Sequence, residues 1–416
     1  MPTLDGSGHE KWAPAEFVVA LSHLDVVRAE LGRLPHPVEA TEEQDERLGL
    51  ALIRIGNVAD VAARLPEPTA GNGRCECRSG PRQEQEYPIE RILRAIRDRC
   101  SERNGGWVPT MGKNRTLDGV HAAQHIGIGG DGYPEWSRAD ELPADRPLHR
   151  TEVGVLDTGL WPHPQLRGRY VSDDDELSES EEWYSHLAGH ATFVAGTILR
   201  TAPNARLRVR RVLDDRDGTA LAWDVAREMV SFAGSVSVLN LSFCCFTGDN
   251  EPPLVLARAI ERIGPDTVIV AAAGNHGGGE AGDGELIPVS PRSPMWPAAF
   301  DQVIAVGAHD HQGERSTFSP DAAWVNLTAP GEDVTSLYLD GVVRFDRRTG
   351  GTPPPETKFD GWARWKGTSF AAAAVSGAIA SRIRPGTTAR DALHDVWNLP
   401  PGNDEDIRRY RPTHSS

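Results

Sequence analysis

From Thr151 onward the chain alternates short runs of Val, Ile, Leu and Ala with stretches of helical spacing. Few folds satisfy that order, because a strand followed by a helix returns to its own sheet by a crossover and so builds a parallel sheet covered by helices. The candidate strands are residues 152–156, 207–212, 236–241, 267–272 and 303–306. Their apolar content is nearly continuous rather than alternating, as in strands buried on both faces. The expected fold class is therefore α/β, a mostly parallel sheet flanked by helices. Ahead of it, residues 17–20 with 24–34 and residues 48–55 with 58–65 read as strand-helix units, and Ile89, Ile92, Leu93 and Ile96 give residues 88–103 a helical stripe. These predict a smaller α+β domain.

At 416 residues the chain is longer than one hydrophobic core usually organises. The expected boundaries are 1–126 for the N-terminal domain, 127–150 for a polar connector, 151–398 for the main domain and 399–416 for a polar tail that frays. A hydrophobic content of 39% with 25% charged residues is that of a water-soluble globular protein. The formal charge of −16 opposes a surface built to neutralise phosphates, so nucleic acid is not an expected partner. Asp5, Glu10 and Glu16 stand where an export signal needs a positive start and then an apolar stretch. The longest apolar run, 370–375 continuing into 377–380, is broken by Ser376 and too short to span a bilayer. No membrane partner and a cytoplasmic location are expected.

Cys75, Cys77, Cys100, Cys244 and Cys245 form a poor disulfide framework, and a metal reading of Cys75 and Cys77 lacks enough ligands nearby. No metal and no cofactor are expected. Residues 172–182 are almost entirely Asp, Glu and Ser and read as a solvated surface loop, as do residues 344–365 despite Trp362 and Trp365.

The chemistry-bearing segments share a position. Val153-Gly154-Val155-Leu156-Asp157-Thr158-Gly159 delivers a carboxylate at a strand exit, where α/β sheets place catalytic groups, although an aspartate there also caps turns. Gly189-His190-Ala191-Thr192-Phe193-Val194-Ala195-Gly196 puts a histidine at the start of a helix whose small residues allow close packing. His163 and His186 are rivals without such a helix. Ala271-Ala272-Ala273-Gly274-Asn275 ends a buried strand in an amide framed by glycines. Lys366-Gly367-Thr368-Ser369-Phe370-Ala371 sets a serine at the mouth of an alanine-rich helix, as a nucleophile or an ordinary cap. Together they close a reaction. Serine needs a base, histidine needs a carboxylate to fix its tautomer, and an amide donor stabilises a tetrahedral oxyanion.

Over residues 151–383 the chain resembles the subtilisin-like serine peptidases, the subtilase family, whose signatures surround an aspartate in D-T-G, a histidine in H-G-T-H-V-A-G and a serine in G-T-S-M-A-A-P. The resemblance implies a serine endopeptidase with Asp157, His190 and Ser369 as triad and Asn275 as oxyanion donor. It also implies a peptide or protein substrate, held near Ser242, Phe243, Cys244, Ala272, Gly274 and Met295. The departures are Ala191 for glycine, Phe193 for histidine, Phe370 for methionine, Ala373 for proline and Cys244 for glycine. Relatives bind calcium through an aspartate in H-P-D-L, and the matching His163-Pro164-Gln165-Leu166 lacks that carboxylate, so the site is not carried over. The N-terminal region is compatible with a propeptide or with a retained regulatory domain that takes a protein partner. The competing reading of the whole is a catalytically silent scaffold that binds a peptide or protein in its cleft.

Overall fold

The computed structural model describes residues 10–66, 86–119, 132–145, 150–171, 177, 181–278, 289–345, 354–400, 402–403 and 405–412. The expectations for Cys75 and Cys77, and for most of the acidic run 172–182, lie outside the described residues. The chain divides into two compact units, one built on Trp12–Arg115 and the other on Thr116–Ser416 together with Gly6–Lys11.

The first unit contains β1 (Trp12–Ala20), α1 (Leu24–Leu31), β2 (Ala40–Asp45), β3 (Leu50–Ile55), α2 (Val58–Ala63), α3 (Pro88–Arg103) and the start of β4 (Met111–Gly119). Its strands form an antiparallel sheet in the order β4-β1-β3-β2. Phe17, Val19, Ile53 and Ile55 pack with Ile89, Ile92, Leu93 and Ile96, so the predicted stripe of α3 closes this core. The sequence reading missed β2 and β4. β2 is an edge strand with only Asp45 buried, and such strands carry no apolar signal.

In the second unit come β5 (Glu135–Trp136), β6 (Thr151–Asp157), β7 (Tyr170–Val171), β8 (Tyr184–Ser185), α4 (His190–Thr201), β9 (Ala205–Arg211), β10 (Thr219–Leu221), α5 (Ala222–Ser231), β11 (Val238–Leu241), β12 (Phe243–Cys244) and α6 (Leu254–Ile263). They are followed by β13 (Val268–Ala272), β14 (Val303–His309), β15 (Leu327–Pro330), β16 (Val334–Arg344), β17 (Thr357–Trp365), α7 (Thr368–Arg382), α8 (Ala389–Trp397) and β18 (Arg408–Arg409). The central sheet has the order β18-β15-β14-β13-β11-β6-β9-β7, and its pairs are parallel except that of β18. The chain leaves β6 toward β9 on one side and returns to β11 on the other. A crevice opens at such a reversal beyond the carboxyl ends of the strands.

Glycines set the distances between layers. A Cβ on Gly154 of β6 would lie 2.8 Å from Leu239 Cδ1, and one on Gly189 would enter the Tyr338 ring. A Cβ on Gly196 would lie 2.4 Å from Ser336 Oγ, and one on Gly377 would lie 2.7 Å from the Ile198 carbonyl. The small residues predicted to let α4 pack closely therefore do so, against β16 and α7. Helix α7 is buried nearly all round, which explains its apolar sequence without amphipathic stripes.

Two expectations are corrected. The stretch 344–365 is not a surface loop over its whole length: β17 pairs antiparallel with β16, and Trp362 and Trp365 are buried. Large aromatic side chains gain more from packing than the neighbouring prolines lose. The chain end does not fray throughout, because Arg408 and Arg409 pair with Thr328 and Leu327 and Ile407 is buried.

Candidate active site

Asp157 is the last residue of β6 and His190 the first of α4. Asp157 Oδ1 lies 2.7 Å from His190 Nδ1, and both side chains are fully buried. The carboxylate is oriented from its own turn, since Oδ1 also accepts the Thr158 amide at 2.7 Å. Thr158 Oγ1 in turn accepts the Ala191 amide at 3.1 Å, so the turn and the helix start hold each other. With Nδ1 engaged by the carboxylate, Nε2 is the ring nitrogen that a proton transfer would use.

Asn275 follows β13 and is clamped by Thr368. Its Oδ1 accepts both the Thr368 amide at 3.0 Å and Thr368 Oγ1 at 3.1 Å, while the Gly274 amide donates to Thr368 Oγ1 at 3.2 Å. Because Oδ1 is the acceptor, the NH₂ group is the donor this side chain offers. Ser369, next along α7, is buried and its Oγ has no hydrogen-bond partner among the described residues. It lies in the first turn of α7, where backbone amides and the helix dipole favour developing negative charge.

An aromatic wall lines one side of His190. The Phe370 ring lies 5.5 Å from the imidazole and Trp365 stands edge-on at 5.7 Å. Phe193 and Phe370, which replace the histidine and methionine of the family pattern, are in contact at 4.2 Å.

The predicted cleft residues are also gathered. Ser242 Oγ accepts from Asn240 Nδ2 at 3.0 Å, and Ser376 of α7 donates to Asn240 Oδ1 at 3.0 Å. This buried chain ties the wall Ser242–Phe243–Cys244 to the serine-bearing helix. Ala272 ends β13, and a Cβ on Gly274 would meet Met295 Cγ at 3.2 Å. The segment 295–296 is held to the wall by reciprocal Cys245–Trp296 backbone bonds of 2.8 and 3.0 Å.

Residues 116–119, the last four of β4, lie between β10 and β12. Thr116, Leu117 and Asp118 oppose Leu221, Ala220 and Thr219, while Asp118 and Gly119 oppose Cys244 and Phe243. The Gly119 amide donates to the Gly218 carbonyl at 2.8 Å, and Leu117 is fully buried. Lys11 adds a strap: its carbonyl accepts the Thr116 amide at 3.0 Å, and its Nζ reaches Asp118 at 3.0 Å. Sequence reading missed this strand, since Met111–Gly119 is mostly polar and shows no alternation. Thr368, which fixes the Asn275 amide, carries no such signal in the sequence.

Gln165, at the position of the family's calcium-binding carboxylate, uses Oε1 to accept the Leu142 amide at 2.7 Å. Among the described residues, no group of three His, Cys, Asp or Glu side chains is arranged to hold a metal ion. Nor is any helix among them long and apolar enough to cross a membrane.

The sheet, the reversal point and the Asp-His pair define an α/β architecture with a buried carboxylate-imidazole pair at its strand ends. The model of the subtilase family matches residues 149–388, and the chain belongs to that family. The chain is 29% identical over 244 residues to an intracellular serine protease of Paenibacillus polymyxa, a match covering 55% of this chain and 65% of that protein. It is 30% identical over 245 residues to the major intracellular serine protease of Bacillus subtilis strain 168, covering 55% and 67%. The chain thus spans about two thirds of the length of these relatives. Fervidolysin from Fervidobacterium pennivorans, a keratinolytic enzyme related to subtilisin, shares the fold at a TM-score of 0.56 and 16% identity, covering 92% of this chain and 56% of that one.

Proposed function

We propose that the protein is a serine endopeptidase that hydrolyses peptide bonds through a Ser369 acyl-enzyme. The observation that carries this reading is the 2.7 Å bond between the fully buried Asp157 and His190, in a chain that sets Ser369 at a helix start. His190 Nε2 takes the Ser369 proton as Oγ attacks the scissile carbonyl. Asp157 holds the tautomer and offsets the imidazolium charge. The oxyanion receives the Asn275 NH₂ and the α7 amides, and its collapse expels the amine, which takes the proton from His190. Water then attacks the acyl group by the same route and restores Ser369.

The test is a fluorophosphonate probe together with an unfolded protein substrate. Labelling and cleavage that disappear in Ser369→Ala support the reading. A chain that does neither, while a known relative does both in the same assay, refutes it.

The pairing of residues 116–119 with β10 and β12 supports a regulatory reading of the N-terminal region. We infer that residues 116–119 occupy the path of an extended substrate, so that the full chain is restrained until this strand leaves. Leu117→Arg then speeds peptide cleavage by the full chain, and an unchanged rate overturns the inference. Mass spectrometry decides between a cleaved propeptide and a retained domain, by loss or persistence of the piece before residues 127–150. We place the activity inside the cell, on the support of the intracellular relatives.

A further inference from the structure

The loop after β9 carries a partly buried carboxylate that the proposed reaction does not use. Asp215 Oδ1 accepts the Gly159 amide at 2.7 Å, and Arg211 Nη2 reaches its Oδ2 at 3.0 Å with the Asp215 side chain 14% exposed. The same loop grips the Asp157 turn through its backbone as well, since the Val212 and Leu213 amides donate to the Asp157 carbonyl at 2.9 and 3.1 Å. It then folds tightly on Asp214, whose Oδ1 accepts the Arg216 and Asp217 amides at 2.8 and 3.2 Å. That turn delivers Gly218 and Thr219, the backbone against which Gly119 and Asp118 lie. Asp215 therefore sits at the joint between the triad carboxylate and the cleft wall.

A charge is an expensive acceptor at this place. Burial holds the Asp215 carboxyl above its ordinary value, and the neighbouring Asp214 and Asp157 push the same way, while the Gly159 amide and Arg211 oppose them. A neutral Asn or Ser accepts an amide without that penalty. The charged groups facing Asp215 are Arg211, Asp214 and Asp157, and Asp157 passes the effect to His190.

Resting on the Ser369 hydrolysis reading, we propose that Asp215 is a positioning residue for the reaction. Through Gly159 it holds the turn that aims Asp157 at His190, and its charge joins that of Asp157 in stabilising the imidazolium. Asp215→Asn keeps an acceptor for Gly159 and removes the charge, whereas Asp215→Ala removes both.

The first experiment is the pH profile of kcat/KM for peptide cleavage by the full chain. In Asp215→Asn the acid limb moves to lower pH by about half to one unit, because an imidazolium with less negative charge nearby gives up its proton more readily. In Asp215→Ala kcat falls about tenfold with KM within about twofold, the cost of a turn amide left unpaired. The second experiment needs no turnover: the His190 imidazole is titrated by NMR in Ser369→Ala with and without Asp215→Asn, and its midpoint falls by the same amount. An unmoved acid limb or an unmoved midpoint in Asp215→Asn overturns the proposal. A parent chain without activity sinks the hydrolysis reading, and the NMR midpoint then decides the role of Asp215 alone.

Discussion

Acidification tests the packing beside Asn275 through its neighbour His276. This imidazole is 1% exposed, stacks on Trp324 at 6.4 Å with the planes 8° apart, and places Nε2 3.2 Å from the Ser293 carbonyl. Its Nδ1 has no hydrogen-bond partner among the described residues. Burial pushes its pKa down from 6.5 to about 4, against a smaller opposing effect of the Ser293 carbonyl. The folded state thus refuses a proton that the unfolded chain accepts below about pH 6.5. The contribution of this group is fully present above that pH and is lost as pH falls toward 4, where both states become protonated. At about 1.4 kcal/mol per pH unit, the loss reaches about 3 kcal/mol by pH 4. The assay is urea unfolding at pH 7 and pH 4.5, in the Ser369→Ala background so that self-digestion does not interfere. Glutamine at position 276 offers an amide to the Ser293 carbonyl and does not ionise in this range. Ser369→Ala is expected to lose about 2–3 kcal/mol more between the two pH values than Ser369→Ala/His276→Gln. Equal losses in the two chains refute the claim that His276 is buried neutral.

Three further outcomes follow from the site and its supports. Asn275→Ala lowers kcat with little change in KM, as steady-state kinetics will show; the size, about 10²–10³-fold, is that known for the corresponding donor in a member of the same family. Gly277→Ala places a methyl 1.9 Å from the Ser319 carbonyl oxygen, a backbone atom, and lowers stability by about 1–3 kcal/mol or more in thermal unfolding. Ser376→Ala leaves Asn240 Oδ1 without its buried donor and costs about 1–3 kcal/mol, read in the same experiment.

Much of the central sheet was legible because its strands are apolar throughout. The expected 152–156, 207–212, 236–241, 267–272 and 303–306 correspond to β6, β9, β11, β13 and β14, with ends shifted by a few residues. Helix α3 was read to the residue, since Pro88 marks its start and its stripe is regular. β15 and β16 escaped notice because they follow an irregular stretch, and β2 because it is polar.

The sequence by itself determined which residue types stand at strand exits and helix starts, and in which order, because local patterning and covalent neighbours specify those places. Asp157, His190, Asn275 and Ser369 were therefore found as candidates before any distance was known. Only the tertiary structure decided what each of them touches: that Asp157 reaches His190 at 2.7 Å, that Thr368 holds Asn275, and that Asp215 holds Gly159. It also decided that the polar residues 116–119 lie between β10 and β12. Such contacts join segments far apart in the chain through backbone hydrogen bonds and close packing, and neither is written in the identity of a single residue or in its spacing from its neighbours.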